Sequence, residues 1–383
     1  MRVFTAARTC YNPHVLGLFK PFWMLGVGMC EALVILGPTA SGKSALSLKL
    51  AQILRSEIIS LDSALVYRGM DVGTAKPSKE ELAICPHHLI DICDPSESYS
   101  AANFRNDCIR LVSEIRARGA LPIICGGTMM YYKALVDGLS PLPETSPEVR
   151  AQVQAMADSE GWPSVHEKLK TIDPPLYQKL APLDKQRVAR ALEVYLMTGR
   201  PMSSYFGEKK NACPFSRLEL VLLPQDNDRT HLRELIRQRF EHMLKHGLIA
   251  ETQELLDRGI DANAPAMRAV GYRQVAMYLQ GEVSYDEMVE LGVIATARLA
   301  KHQMTWLRGG LKDAAAASAA NAASAADAAA ADSAADAATS TADAAAGDAV
   351  YSERHYLTIE DEHKWDQVLA ILQQHPQLWA FHY

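Results

Sequence analysis

The sequence lacks the features that mark several classes of protein. Its seven cysteines are scattered and form no C-x-x-C pair, which argues against a zinc ribbon and a disulfide framework and favours a reducing cytoplasm. The apolar stretch at residues 19–30 is too short and too interrupted to cross a membrane. We therefore expect a cytoplasmic protein with no membrane partner.

A large positive charge is also missing. The net charge is −6, but residues 311–350 and 351–383 contribute −5 and −3, which leaves +2 for residues 1–310. A weakly basic body can still carry strongly basic local patches. The overall charge therefore does not exclude a nucleic-acid partner.

Composition divides the chain into segments. Residues 1–30 are predicted to be a poorly ordered extension. Residues 311–350 are almost all Ala, Ser, Asp and Thr, with no large apolar side chain to bury, so they are predicted to be a disordered linker. Residues 351–383 regain aromatic and apolar residues, and this C-terminal tail is predicted to pack as a short strand and a helix.

The body of the chain alternates apolar strand-like segments with helical patterns, which is typical of an α/β fold with a parallel sheet flanked by helices. A charged, helix-rich stretch at 141–212 predicts a helical insertion domain between two parts of the catalytic core, 31–140 and 213–310. The predicted strands are 32–36, 57–61, 88–92, 121–125 and 218–223, and the predicted helices are 43–54, 101–118, 228–246, 248–258, 265–280 and 284–308.

The most informative motif follows the first strand directly. It is the phosphate-loop pattern G-x-x-x-x-G-K-[S/T], formed by Gly37, Pro38, Thr39, Ala40, Ser41, Gly42, Lys43 and Ser44. Such a loop points backbone N–H groups and a helix N-terminus at phosphate oxygens. Lys43 adds a charge, and the Ser44 hydroxyl can hold Mg²⁺. The motif predicts a P-loop NTPase-like fold that binds a di- or triphosphate.

Two polar positions follow other strands, where ligands of parallel sheets collect. Asp62 comes after the second strand and can be a magnesium ligand, a general base or a helix N-cap. Gly126-Gly127-Thr128 follows the fourth strand, where Thr128 can donate to a phosphate oxygen or cap a helix. The residues alone leave these alternatives open.

Three segments are rich in basic residues. One has two arginines a helical turn apart, and the other two also contain aromatic residues. These basic clusters lie at 185–190, 268–273 and 298–308. Charge for phosphates combined with rings for exposed bases suits single-stranded RNA, although a solvated helix face is the alternative. RNA binding is therefore one of two open interpretations of these clusters.

Seven strings together resemble the bacterial tRNA dimethylallyltransferases, also called tRNA isopentenyltransferases, in the order in which that family has them. The resemblance covers roughly residues 31–310, so the N-terminal extension and the Ala-rich linker fall outside it. The strings are GPTASGKS (37–44), DSALVY (62–67), GMDVGTAKP (69–77), GGT (126–128), RVARALE (187–193), VGYRQ (270–274) and TWLR (305–308).

The resemblance implies transfer of a dimethylallyl group from dimethylallyl diphosphate to N6 of adenosine 37, in tRNAs that read codons beginning with U. It implies that the phosphate loop holds the diphosphate with Mg²⁺, and that Asp62, Thr128 and Lys43 are catalytic. It further implies that the enzyme grips the anticodon stem-loop with its insertion, and we expect a monomer.

The resemblance also implies a set of tRNA contacts, carried over from the matching positions. They are Asp62, Ser63, Ala64, Leu65, Thr128, Arg150, Gln186, Arg187, Val188, Ala189, Arg190, Arg268, Ala269, Val270, Gly271, Tyr272, Arg273, Lys301, His302, Gln303, Met304, Thr305, Trp306, Leu307 and Arg308.

Two other functions share the phosphate loop. A small-molecule nucleotide kinase would use the insertion as an arginine-bearing lid, but that function does not account for Gly126-Gly127-Thr128 or for the basic clusters. A non-catalytic RNA-binding ATPase module needs no base at Asp62. The strings favour prenyl transfer over both.

Overall fold

A six-stranded parallel sheet forms the centre of the molecule. The computed structural model describes residues 30–206, 212–225, 229–310 and 352–381. The strands are β1 (Ala32–Leu36), β2 (Ser56–Leu61), β3 (His87–His88), β4 (Leu121–Gly126), β5 (Arg217–Leu223) and β6 (Ser352–Thr358). Their spatial order is β3-β2-β4-β1-β5-β6, and every neighbouring pair is parallel.

Alternation along β1 explains why its whole sequence is apolar. Leu33 and Ile35 join a core on one face of the sheet, whereas Ala32, Val34 and Leu36 join a core on the other face. Successive side chains of a strand point to opposite faces, so a strand covered on both sides needs an unbroken apolar run.

Four helices in the first part of the chain connect strands β1 to β4 and the insertion. They are α1 (Lys43–Ala51), α2 (Lys79–Leu82), α3 (Ala101–Ala117) and α4 (Met129–Asp137). Helix α3 begins with a reciprocal cap, in which Ser100 accepts from the Asn103 backbone and the Asn103 side chain accepts from Ser100. This cap satisfies two amides that the first helical turn leaves free.

The predicted insertion is a helical unit with its own core. It contains α5 (Pro147–Glu160), α6 (Trp162–Ile172), α7 (Pro174–Lys179) and α8 (Lys185–Thr198). Val153, Val165, Leu169, Val188 and Leu192 pack together inside it. The unit can therefore present its outer surface to a partner without exposing its core.

The C-terminal helices pack in a third core. They are α9 (Thr230–Lys245), α10 (Leu248–Asp257), α11 (Tyr272–Leu279) and α12 (Tyr285–Thr305), and α13 (Lys364–Gln373) follows β6. The predicted helix 265–280 is interrupted, because Gly271 has a φ of 98°. The chain there forms a short 3₁₀ turn, Ala266–Arg268, before α11.

One predicted strand is wrong in extent. Instead of 88–92, the strand covers only His87–His88, because Leu89 and Asp91 adopt left-handed φ values of 62° and 56°. The following residues bond to another loop instead, with Ile92 N and Cys93 N both donating to Val66 O.

The C-terminal tail belongs to the central sheet. Its predicted strand and helix are confirmed as β6 and α13, and β6 pairs with the full length of β5. The disorder predicted for 1–30 and 311–350 concerns residues outside the described ranges, apart from Cys30. Among the described residues, no helix has both the length and the apolarity to span a membrane.

Candidate active site

The phosphate loop connects β1 to α1 at the carboxyl edge of the sheet. Ala40 and Gly42 adopt left-handed φ values of 63° and 80°, which turn the chain tightly into the helix. No side chain caps the N-terminus of α1, so its first amides remain available to a ligand. The Ser41 hydroxyl is buried and has no hydrogen-bond partner among the described residues. The loop thus has the donors that an anion requires.

Two cations and one carboxylate meet beside this loop. Lys43 donates to Pro38 O at 3.1 Å, and burial lowers its pKa, with Asp62 partly opposing the shift and Arg239 adding to it. Burial also lowers the pKa of Arg239, against the attraction of Asp62. Arg239 makes no hydrogen bond or ion pair to a described residue, so this half-buried guanidinium has unused capacity for an anionic ligand.

Asp62 and Thr128 lie on neighbouring strand ends. Strands β2 and β4 pair directly, with Leu61 opposite Gly126. Asp62 Oδ1 accepts from Ala64 N at 2.8 Å, which leaves its other oxygen available. Thr128 Oγ1 accepts from Ser63 N at 3.1 Å, although Thr128 precedes α4 without capping it through its side chain. The two strand ends thus bring a carboxylate and a hydroxyl to the same edge of the sheet.

Glycine is required at the turn after β4 because other atoms approach its backbone closely. A Cβ at Gly126 would lie 2.1 Å from Leu61 O, and one at Gly127 would lie 2.6 Å from Gln303 Nε2. Any larger residue would push these groups apart. The double glycine therefore allows β2, β4 and α12 to converge on the site.

Gln303 connects α12 to both sides of the site. Its Oε1 accepts from Thr39 N in the phosphate loop at 2.9 Å, and its Nε2 donates to Gly127 O at 2.7 Å. The side chain is only 9% exposed. The resemblance predicts a tRNA contact here, but the structure uses this amide to hold the loop and the glycine turn together.

Several other predicted tRNA residues have side chains that pack inside the protein. Val188 lies in the core of the insertion, Tyr272 and Met304 lie in the core of the C-terminal helices, and Leu307 lies against the sheet. A tRNA contact at these positions could involve only backbone atoms. In the matching strings, these four side chains pack inside the protein, while neighbouring residues of the same strings are exposed.

Tyr272 illustrates this packing. Its hydroxyl donates to Glu251, which also accepts from the backbone amides of Asp71, Val72 and Gly73 at 2.8–3.1 Å. Burial, followed by the Glu251 carboxylate, raises the pKa of the phenol. Tyr272 and Glu251 thus hold the polar loop 69–77 in place.

Many of the other predicted tRNA residues reach a cleft between the insertion and the core. The cleft has a volume of ≈ 1930 Å³ and includes Arg150, Gln186, Arg190, Arg268 and Arg273 in its lining. Lys133 and Lys185 also line it, which makes six cationic side chains against the three carboxylates Glu144, Glu193 and Glu282. The cleft therefore has an excess of positive charge.

Most of the remaining predicted residues lie on exposed or partly exposed surface, whereas Gly271 is buried. Lys301, His302 and Thr305 are exposed on α12, and Arg187 is exposed on α8. Trp306 and Arg308 are partly buried beyond the end of α12. Ala64, Leu65, Ala189, Ala269 and Val270 are partly exposed, and Ser63 is exposed. These side chains are therefore accessible to a partner.

Comparison with known proteins identifies the family. The family model described as IPP transferase matches residues 65–310. The chain belongs to the IPP transferase family. A tRNA dimethylallyltransferase of Thioalkalivibrio sulfidiphilus is 52% identical over 279 residues, which are 72% of this chain and 87% of the relative.

Solved structures of family members have the same architecture. The full-length tRNA isopentenylpyrophosphate transferase of Bacillus halodurans is 31% identical, with a TM-score of 0.55 over 91% of this chain and 97% of that one. A eukaryotic dimethylallyltransferase, solved acting on tRNA, is 28% identical, with a TM-score of 0.62 over 72% of this chain and 69% of that one. Sequence and structure thus both support membership of the IPP transferase family.

Arg239 of this IPP transferase belongs to none of the sequence motifs. The buried side of α9 is formed by Leu232, Ile236, Phe240 and Met243. Arg239 falls on this stripe, since it lies three residues after Ile236 and four before Met243. The sequence does show a charged residue on an apolar helix face. It does not show which anionic group that cation would bind.

Proposed function

We propose that the protein transfers the dimethylallyl group of dimethylallyl diphosphate to N6 of adenosine 37 in tRNAs that read codons beginning with U. The products are N6-(dimethylallyl)adenosine and diphosphate. One observation carries the proposal: the phosphate loop, a carboxylate and a hydroxyl meet at one sheet edge, and a basic cleft is lined by α4, the helix that follows Thr128. This edge suits a reaction in which phosphate leaves and a nucleobase attacks.

The donor's diphosphate would occupy the phosphate loop. Free amides at the start of α1, the buried Ser41 hydroxyl and the cations Lys43 and Arg239 supply its ligands. Negative charge grows on the diphosphate as the allylic C–O bond breaks. Fixed donors aimed at that charge lower the barrier most, so the same groups would both bind the donor and assist its departure.

The acceptor step would use Asp62. The lone pair of adenine N6 attacks C1 of the dimethylallyl group, a C–N bond forms, and the bond from C1 to the diphosphate oxygen breaks. The amine then loses a proton, which the free oxygen of Asp62 accepts. Thr128, fixed against Ser63, would orient the reacting groups. Atoms and charge balance with diphosphate as the leaving group.

Magnesium fits the oxygen donors present here. Ser44 is exposed at the first turn of α1, and hydroxyl, carboxylate and phosphate oxygens are ligands that Mg²⁺ prefers. The Ser44 hydroxyl and the diphosphate would hold the ion. Bound there, Mg²⁺ neutralises charge on the leaving group.

The tRNA would lie in the basic cleft, with the anticodon stem gripped by the insertion. Six cations on its walls can contact phosphates, and Tyr99, Trp162 and Phe206 also line it, which offers rings for unstacked bases. Adenosine 37 must leave the stack to reach Asp62, as in other enzymes that modify bases. Such a substrate places the enzyme in the cytoplasm.

The test is incubation of the full chain with dimethylallyl diphosphate, Mg²⁺ and an unmodified anticodon stem-loop containing adenosine 37, followed by nucleoside mass analysis. We expect a prenylated adenosine that is absent when guanosine replaces adenosine 37. Turnover of ATP without any modified adenosine would favour a kinase or an ATPase module and overturn the proposal.

A further inference from the structure

The C-terminal tail contains a cluster of metal-ligating side chains that prenyl transfer does not use. Glu353 and His355 lie on β6, and His375 lies just beyond the end of α13. One ligand atom from each residue lies within 4.8 Å of the others. We refer to these three residues as the tail triad.

The backbone explains why the three side chains converge. Glu353 and His355 are two residues apart on a strand, so they project from the same face. Leu357 continues that face and packs in one core with Val368 and Leu372 of α13. The face therefore looks toward α13, and the turn after this helix brings His375 against it.

The ligand atoms are near enough to reach one ion, and His355 and Glu353 are in hydrogen-bond contact in its absence. His355 Nε2 lies 2.7 Å from Glu353 Oε1, and His375 Nε2 lies 3.4 Å from Glu353 Oε2. The two imidazole rings have centroids 6.4 Å apart and planes at 81°. Ligand atoms around a tetrahedral Zn²⁺ stand about 3.3 Å apart, given bonds of about 2.0 Å. Small side-chain shifts would complete that geometry.

His375 supplies an independent observation. The residue is 6% exposed, and its buried Nε2 has the Glu353 carboxylate at 3.4 Å but forms no hydrogen bond to a described residue. A buried ring nitrogen without a hydrogen bond is costly, and coordination would remove that cost. Gln377 contacts the other ring nitrogen, Nδ1, at 3.4 Å. Such contacts orient the imidazole of metal-bound histidines.

We propose that the tail triad binds one Zn²⁺ ion and thereby fixes β6 to the segment that follows α13. Two imidazoles and one carboxylate form a typical zinc ligand set, whereas Mg²⁺ prefers oxygen ligands. Glu353 and His355 are partly exposed, so water can occupy the fourth position. The ion is structural, and it is separate from the proposed Mg²⁺ at the phosphate loop.

The test uses the untagged full chain after dialysis against a chelator. Zn²⁺ is titrated in competition with a chromophoric chelator in the presence of excess Mg²⁺. We expect one equivalent to bind and to raise the melting temperature. The variants His375→Asn and Glu353→Gln should bind at least about tenfold more weakly, since even losing an outer-shell partner costs this much.

The matched control is His363→Asn, because His363 belongs to the same tail and its side chain is 83% exposed. This variant should bind Zn²⁺ like the unaltered protein. Co²⁺ in place of Zn²⁺ should give visible absorption bands in the unaltered protein and in His363→Asn. The proposal is overturned if the unaltered protein binds no Zn²⁺ under these conditions, or if the Glu353→Gln and His375→Asn variants bind it as tightly as His363→Asn does.

Discussion

Lys43, Arg239 and Asp62 form a small electrostatic unit beside the phosphate loop. Burial lowers the pKa of both cations, while Asp62 favours their charged forms. Two cations and one carboxylate leave an unbalanced positive charge in a partly buried space. Such a charge destabilises the free protein and attracts an anion, so the residues are arranged for a ligand at the expense of stability.

Replacing Arg239 by Met should therefore weaken donor binding but stabilise the ligand-free protein. Affinity for dimethylallyl diphosphate should fall about ten- to a hundredfold, because a charge-assisted hydrogen bond contributes about 1.5–3 kcal/mol. The melting temperature of the ligand-free protein should rise, because an unpaired half-buried cation is removed. Calorimetric titration and thermal unfolding measure both effects.

The control for this substitution is Arg233→Met, on the exposed side of the same helix. It should change neither quantity. Unchanged diphosphate affinity in Arg239→Met would remove Arg239 from the donor site.

Asp62→Asn keeps the shape of the side chain but removes its ability to accept a proton. We expect the single-turnover rate of adenosine modification to fall about 10²–10⁴-fold, the usual contribution of a general base. The dissociation constant for tRNA should stay within about twofold, since one carboxylate adds no attraction for phosphates. Quenched-flow assays and filter binding provide the two measurements.

Asp257→Asn is the comparison, since Asp257 ends α10 and only accepts from Gln253 within that helix. If Asp62→Asn modified adenosine as fast as Asp257→Asn, Asp62 would have no part in proton transfer.

At the scale of elements, α12 has two functions on two faces. Lys301 and Thr305 are exposed on the face that we propose contacts tRNA, whereas Met304 and Leu307 pack inward. Gln303 joins this helix to the phosphate loop and to the turn after β4. Docking of tRNA on the exposed face, as proposed, would thus be mechanically connected to the phosphate loop.

Gln303→Leu should break the connection between α12, the phosphate loop and the turn after β4. The backbone groups of Thr39 and Gly127 lose their partners, and each buried unsatisfied group costs about 1–3 kcal/mol. We expect the KM for dimethylallyl diphosphate to rise about tenfold or more, with tRNA affinity nearly unchanged. Lys301→Ala should show the reverse pattern, with weaker tRNA binding and an unchanged KM for the donor. Equal loss of tRNA affinity in both variants would indicate that Gln303 contacts tRNA directly.

The tail strand β6 is held to β5 by a buried ion cluster as well as by the sheet. Glu219 is fully buried and accepts from Arg217 Nε at 2.7 Å and from Arg354 Nε at 2.6 Å, and Tyr132 also donates to it. Burial alone would raise the pKa of Glu219, but the two guanidinium groups and the Tyr132 hydroxyl hold it below its usual value.

This shift predicts an acid limit for tail docking. A carboxyl group whose pKa is lowered in the folded state contributes stability above its unfolded pKa of about 4.3, and that stability is lost as the pH falls through the lower folded value. Below about pH 4.3, the unaltered protein should therefore lose stability progressively. Glu219→Gln should be less stable at neutral pH, because it removes the carboxylate charge that the Arg217 and Arg354 guanidinium groups share.

Denaturant unfolding monitored from about pH 7 down to about pH 3 measures this dependence. Glu219→Gln should show a weaker pH dependence in the acid range than the unaltered protein. An identical slope in both proteins would show that Glu219 titrates with a normal pKa.

In the molecule as a whole, local sequence patterns predict the residues at the strand ends. They do not predict the residues from distant helices that pack around them. The phosphate loop, Asp62 and Thr128 could be predicted because each is a short motif directly after an apolar strand. Arg239 and Gln303 act through contacts with residues far along the chain, and a linear pattern contains no such information. The left-handed turn at Leu89 was missed for a similar reason, since bonds to residues 65–66 override its local strand preference.

The place of β6 also required the structure. Its strand pattern was readable, but its partner β5 lies more than a hundred residues earlier in the sequence. Arg354 and Glu219 show the physical reason. In the sequence, each charge is typical of a solvated residue, and only the structure shows that the two are buried together. Pairing across the Ala-rich segment is therefore a tertiary property.

The central claim is that the phosphate loop holds a leaving diphosphate. The most direct measurement is the ratio of diphosphate released to dimethylallyladenosine formed, with the full chain, Mg²⁺, dimethylallyl diphosphate and tRNA, and with ATP in a parallel reaction. We predict a ratio of about one, no release without tRNA, and no phosphate from ATP. Phosphate release from ATP at the same rate, or diphosphate release with no modified adenosine, would contradict it.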